Sequence, residues 1–195
     1  MKKDKKSDNI IFSRNNSETI RKITRDNRNI VVCGIQGVGK LTVTINAVGD
    51  MDEVFFLENT FDYDGKLKEK GYKKYTEYIL SLKQDMTLIS SFTDEAATPL
   101  FGEEKSKHIF GIRKHRVVVV DGIYGRNDVE IEHLLKLLGN KNVTVILIVR
   151  CIKYLHDLIR KFDVIVELTQ DGALLLATET AEMICKVLKN SDVTD

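Results

Sequence analysis

Residues 31–42, VVCGIQGVGKLT, place Gly34, Gly39 and Lys40 at the spacing of the phosphate-binding pattern G-x-x-x-x-G-K-[ST], with Leu41 where the hydroxyl residue belongs. Glycines at these points let the backbone turn successive N–H groups inward and approach a phosphate with no side chain in the way. A helix beginning at Lys40 adds its N-terminal amides and positive dipole end, and the lysine adds a mobile point charge for the outer phosphates. The expected nucleotide-binding set is Gly34, Gln36, Gly37, Val38, Gly39, Lys40, Leu41 and Thr42. The competing reading is an ordinary glycine-rich turn.

Leu41 leaves Mg²⁺ without its usual hydroxyl ligand. Thr42 does not replace it, because one step along a helix turns a side chain by roughly 100°; Thr42 keeps a role toward the inner phosphate. Read blandly, Leu41 packs the start of a helix and the site is vestigial. A second acidic element lies in RVVVVDGIYG, where four valines end in Asp121. A buried strand delivering a carboxylate is the expected source of a metal ligand, making Asp121 the metal candidate; the alternative is an aspartate that caps the following turn.

These residues need a sheet to hold them. Short apolar runs (NIVVC, EVFFLE, MTLISS, RVVVVD, NVTVILIV, DVIVEL) alternate with amphipathic stretches such as Tyr72, Tyr75, Ile79, Leu82 and Ile131, Leu134, Leu135, Leu138. Ile152, Leu155, Ile159 and Phe162 predict one more helix, and Ile184, Val187 and Leu188 a last one. Strands apolar on both faces, alternating with helices, imply an α/β fold with a mainly parallel sheet sandwiched by helices. The turn TQDG predicts that ALLLAT returns antiparallel as a C-terminal hairpin. Tyr72 and Tyr75 read as packing residues, the alternative being a stacking platform. Residues 1–16 read as a flexible basic tail or a basic arm, 17–190 as one domain whose first helix is capped by Ser17, and the polar stretch 92–108 as a mobile loop.

Composition narrows the function classes. Lys plus Arg number 30 and Asp plus Glu 29, which gives no general drive toward nucleic acid. The three cysteines, Cys33, Cys151 and Cys185, form no metal-type pair and no disulfide framework, so a cytoplasmic setting is expected. No apolar run approaches the ~18 residues of a membrane span. The histidines, His108, His115, His133 and His156, read as surface or helix-face residues rather than ligands.

In order along the chain, several stretches resemble the traffic ATPases of type II and type IV secretion, including pilus assembly and retraction motors. IRKITRDNRNIVVCGIQGVGKLTVTINAV is similar to their approach to the phosphate loop. VFFLENTFD resembles their acidic box, with Glu58, Thr60 and Asp62 in place and Asn59 replacing an aspartate. GIRKHRVVVVDGIYGRNDVEIEHLL resembles their arginine, buried strand and helix, and FDVIVELTQDGALLLATETAEM their closing hairpin. The chain departs from the pattern at Gly122, where many such motors carry a water-activating glutamate, and in GNKNVTVILIVRC, which lacks the family's histidines.

The resemblance implies a degenerate member without the family's large N-terminal domain. It implies a RecA-like P-loop NTPase core, ATP as ligand with Mg²⁺ compromised by Leu41, Glu58 as the catalytic residue, and Arg113 or Arg116 either facing a neighbour's nucleotide or standing as a plain solvated arginine. It also implies a homo-oligomer or a mixed ring, six subunits in working members, attached to a secretion or pilus complex at the inner membrane only through partners. Three functions follow: an ATP-driven motor, a non-catalytic nucleotide-binding subunit beside an intact motor, or a DNA-translocating relative. The last lacks a basic stripe.

Overall fold

Runs of valine and isoleucine build pleated strands because their branched side chains pack well on a sheet, and the period of two sends neighbours to opposite faces. The computed structural model describes residues 11–13, 15–26, 28–58, 69–101, 115–122, 128–176 and 178–191. In chain order these form β1 (Ile11–Ser13), α1 (Asn16–Arg25), β2 (Ile30–Cys33), α2 (Lys40–Ala47), β3 (Glu53–Glu58), α3 (Glu69–Leu82) and β4 (Thr87–Ile89). A 3-10 turn (Glu95–Ala97) leads into a short α4 (Thr98–Phe101), followed by β5 (Arg116–Asp121), α5 (Asp128–Leu138) and β6 (Val143–Ile148). A 3-10 segment (Ile152–Lys161), β7 (Val164–Leu168), β8 (Ala173–Leu176) and α6 (Thr178–Ser191) complete the order.

The strands form one mixed sheet in the order β1-β8-β7-β2-β6-β5-β3-β4. From β7 to β4 all neighbours run parallel. β8 returns antiparallel to β7, as the TQDG turn predicts, and β1 adds antiparallel to β8. The fold is therefore α/β with a mainly parallel sheet. The alternation within single strands divides the core into two layers. Val117 and Val119 of β5 join Ile30, Val32, Ile146 and Ile148 beneath Ile20, Ile45 and Ile79 from α1, α2 and α3. Val118 and Val120 join Val31, Cys33, Val145 and Leu147 on the opposite face, covered by Leu134 and Leu137 of α5, Leu155 and Ile159 of the 3-10 segment, and Ala181 of α6. Burying both faces excludes water from every ladder in the centre of the sheet.

Several local expectations are corrected. Part of the expected N-terminal tail is the edge strand β1. Asn15, not Ser17, caps α1: its side chain accepts from the Glu18 amide at 3.2 Å, while the Ser17 hydroxyl donates to the Val43 carbonyl at 3.2 Å and ties α1 to α2. The stretch Ile152–Lys161 is 3-10 rather than α-helical, although Ile152, Leu155, Ile159 and Phe162 are buried as expected. On α5 the buried stripe is Leu134 and Leu137, with Leu135 outside, and on α6 Ala181 is buried while Ile184 is exposed. Residues 92–101 of the expected loop are ordered into the core through Phe92, Ala97 and Leu100, with Asp94 capping the 3-10 turn through the Ala96 amide. Residues 102–108 lie outside the described residues.

Candidate phosphate-loop site

The loop of residues 34–39 leaves the carboxyl end of β2 and enters α2 at Lys40. The segment following β2, α2, packs on one face of the sheet, and the 3-10 segment following the adjacent β6 packs on the other. The two connections leave to opposite faces there, which makes these strand ends the topological switch point at which open α/β sheets bind ligands. Gly34, Gly37 and Gly39 all have positive φ, at 145°, 84° and 84°. At Gly34 space is also decisive, since a Cβ there would stand 2.5 Å from the Leu168 carbonyl oxygen at the end of β7. No side chain caps α2. The Lys40 ammonium reaches back over the loop and donates to the carbonyls of Gly34 at 2.6 Å and Ile35 at 2.8 Å. Burial draws its pKa below the ordinary lysine value, against the opposing pull of the Asp121 carboxylate.

Leu41 does what the bland reading asks: it is half-buried and packs on the core layer beneath α1, α2 and α3. The Thr42 hydroxyl lies 2.6 Å from the Tyr78 hydroxyl of α3. Asp121 closes β5 beyond the loop, with β6 standing between β5 and β2. Its Oδ2 accepts a hydrogen bond from the Tyr75 phenol. The Tyr75 ring is tilted against Phe56, their centroids 6.3 Å apart, which makes it both a packing and a polar residue.

Glu58 closes β3 and is paired in register with Asp121 across the parallel β3–β5 ladder. Its side chain, like Asn59, Thr60, Asp62 and Arg113, is outside the described residues. Gly122 is buried at φ 88° and donates its amide to the Ile148 carbonyl at 2.9 Å. The left-handed backbone there disfavours any acid in its place. Arg116 is corrected: it starts β5, at the opposite end of that strand from Asp121, and its buried guanidinium bonds Glu53 at 2.9 Å. It is a structural ion pair and does not reach out to a neighbour. His115 bonds the Thr144 hydroxyl at 2.8 Å, and His133 bonds the Val129 carbonyl and stands edge-on to Phe101.

Sequence reasoning missed the two phenols. Tyr75 read as packing and Tyr78 lies off the apolar stripe; their i, i+3 spacing was visible, but nothing in the sequence put α3 beside the loop. The charge of Arg150, just past β6, also reaches Lys40. Among the described residues, no three His, Cys, Asp or Glu side chains cluster as metal ligands. The side chains a divalent cation would use are a leucine packed on the core, a threonine paired to Tyr78 and a carboxylate paired to Tyr75. That donor set does not suit Mg²⁺, whose octahedral shell asks for hydroxyl and carboxylate oxygens.

No protein-family model matches the chain, and comparison with curated proteins returns no match.

Proposed function

We propose that the chain is a nucleotide-binding domain with a RecA-like P-loop core, that ATP is its ligand, and that binding dominates over hydrolysis. The observation that carries this reading is the Lys40 ammonium drawn over a three-glycine loop at the topological switch point of the sheet. A triphosphate entering there exchanges two carbonyl partners of that ammonium for phosphate oxygens and gains the uncapped amides of α2. Phosphoryl transfer asks a protein mainly for positioning and electrostatic stabilisation. Leu41 supplies no hydroxyl, and Gly122 supplies no base. Hydrolysis by this chain alone is therefore slow, and its work is the rearrangement that binding causes around α2 and α3. In this reading it serves a structural or regulatory role beside an intact motor.

A second reading, a ring-forming ATPase of the secretion and pilus type attached to its membrane complex through partners, draws on one specific feature. The register of Glu58 with Asp121 sets two acidic strand ends side by side, and Glu58 is then the residue that positions the attacking water.

Titration with a fluorescent ATP analogue tests the primary reading. Saturable binding is expected, weakened at least tenfold by Lys40→Ala, in keeping with the loss of about 1.5–3 kcal/mol for hydrogen bonds to a charged group. Absence of saturable binding, or unchanged affinity in Lys40→Ala, contradicts it. Turnover at ordinary motor rates would favour the ring ATPase.

A further inference from the structure

The two tyrosines of α3 hold the positions that decide whether a phosphate site needs a metal. Tyr75 donates its phenolic proton to the Asp121 carboxylate, and Tyr78 pairs with the Thr42 hydroxyl. Spacing of three places both on one side of the helix, facing the start of α2 and the end of β5 together. Tyr75 is fixed in this pose by its contact with Phe56. The third position, Leu41, is committed to the core.

An ionised carboxylate beside a triphosphate repels it, and a magnesium ion ordinarily bridges the two. Here a neutral donor already faces the carboxylate, and the residue that would complete a cation's shell has no oxygen. We propose that Tyr75 takes the place of the divalent cation, so that this site accepts its nucleotide free of metal, with Tyr75 as the positioning residue that screens Asp121 from the phosphates. This rests on the loop of residues 34–42 being a phosphate site. Lys40 and the loop amides, with the nearby charge of Arg150, then neutralise the phosphate charge without a metal.

The test is the affinity of a fluorescent ATP analogue measured with excess Mg²⁺ and again with EDTA, for the wild-type chain and for Tyr75→Phe. The phenylalanine keeps the ring that packs on Phe56 and removes only the hydroxyl. The wild type is expected to bind within about twofold in the two buffers, since no protein–metal contact distinguishes them. Tyr75→Phe is expected to bind about tenfold more weakly in EDTA, a change of one hydrogen bond to a charged group, and to regain affinity with Mg²⁺. Adding Asp121→Asn to Tyr75→Phe should recover the affinity in EDTA, because the charge to be screened is gone.

A purely structural role for Tyr75 lowers affinity equally in both buffers, leaves the Mg²⁺-to-EDTA ratio unchanged, and overturns the proposal. So does a wild type that binds only with Mg²⁺. Binding in neither buffer overturns the phosphate-site reading itself and the proposal with it.

Discussion

Gly34→Ala probes how tightly the glycine loop is built into the sheet. The new Cβ would lie 2.5 Å from the Leu168 carbonyl oxygen and 3.2 Å from Cγ1 of Val38, where contacts under 3.0 Å force something to shift. The near neighbour is backbone at the end of β7, held to β2 by the parallel ladder, so it does not swing aside as a side chain end would. Relieving the contact moves β2 against β7 by several tenths of an ångström, a cost of about 1–3 kcal/mol by analogy with overpacked cores. The positive φ adds about 1–3 kcal/mol for a residue with a Cβ. Gly37→Ala is the internal control, because its added Cβ meets nothing within 4 Å and only the φ of 84° is penalised. The difference between the two variants is thus about 1–3 kcal/mol, or a separation in Tm of about 2–12 °C for a chain of this size. Urea denaturation at constant m-value measures it. Equal midpoints, or a Gly37→Ala variant less stable than Gly34→Ala, refute the close approach of the loop to β7.

Arg116→Ala leaves Glu53 without its guanidinium and should cost about 2–4 kcal/mol in stability while nucleotide affinity stays within twofold; denaturation and titration of the same sample check both. Glu130 is buried on α5 and accepts from the Ser91 hydroxyl at 2.7 Å and the Phe92 amide at 3.3 Å. Glu130→Ala should therefore cost about 1–3 kcal/mol, with Glu130→Gln recovering part of it in the same denaturation series. Burial lowers the pKa of His115 below the ordinary value. The unfolded chain then holds the extra proton over the interval between the two values. Its contribution to stability is complete above about pH 6.5 and is lost as pH falls through the folded pKa. Tm measured against pH should show a decline on acidification below 6.5 that is shallower in His115→Gln.

The parallel sheet was legible because its central strands are buried on both faces and read as unbroken apolar runs; RVVVVD and VTVILI became β5 and β6. The hairpin was legible from turn chemistry at residues 169–172, where the Thr169 amide bonds the Gly172 carbonyl at 2.8 Å. Helix faces were harder. The apolar residues of α5 fit more than one stripe, and only packing on the sheet chose Leu137 over Leu135. Asn15 took the cap from Ser17 because the Ser17 hydroxyl had a tertiary acceptor on Val43, a choice that local sequence does not contain. The glycine loop, Lys40 and Asp121 were found by spacing alone. Their partners were not, because Tyr75 and Asp121 are brought together across 46 residues by the sheet order.

Hydrogen exchange at single-amide resolution, with and without ATP, tests the central claim that residues 34–42 are where a nucleotide's phosphates sit. Slowed exchange at the amides of residues 37–42 in the wild type, absent in Lys40→Ala and absent when adenosine replaces ATP, is the predicted result. Protection by ATP at some other part of the sheet, or protection at the loop that adenosine reproduces, contradicts it.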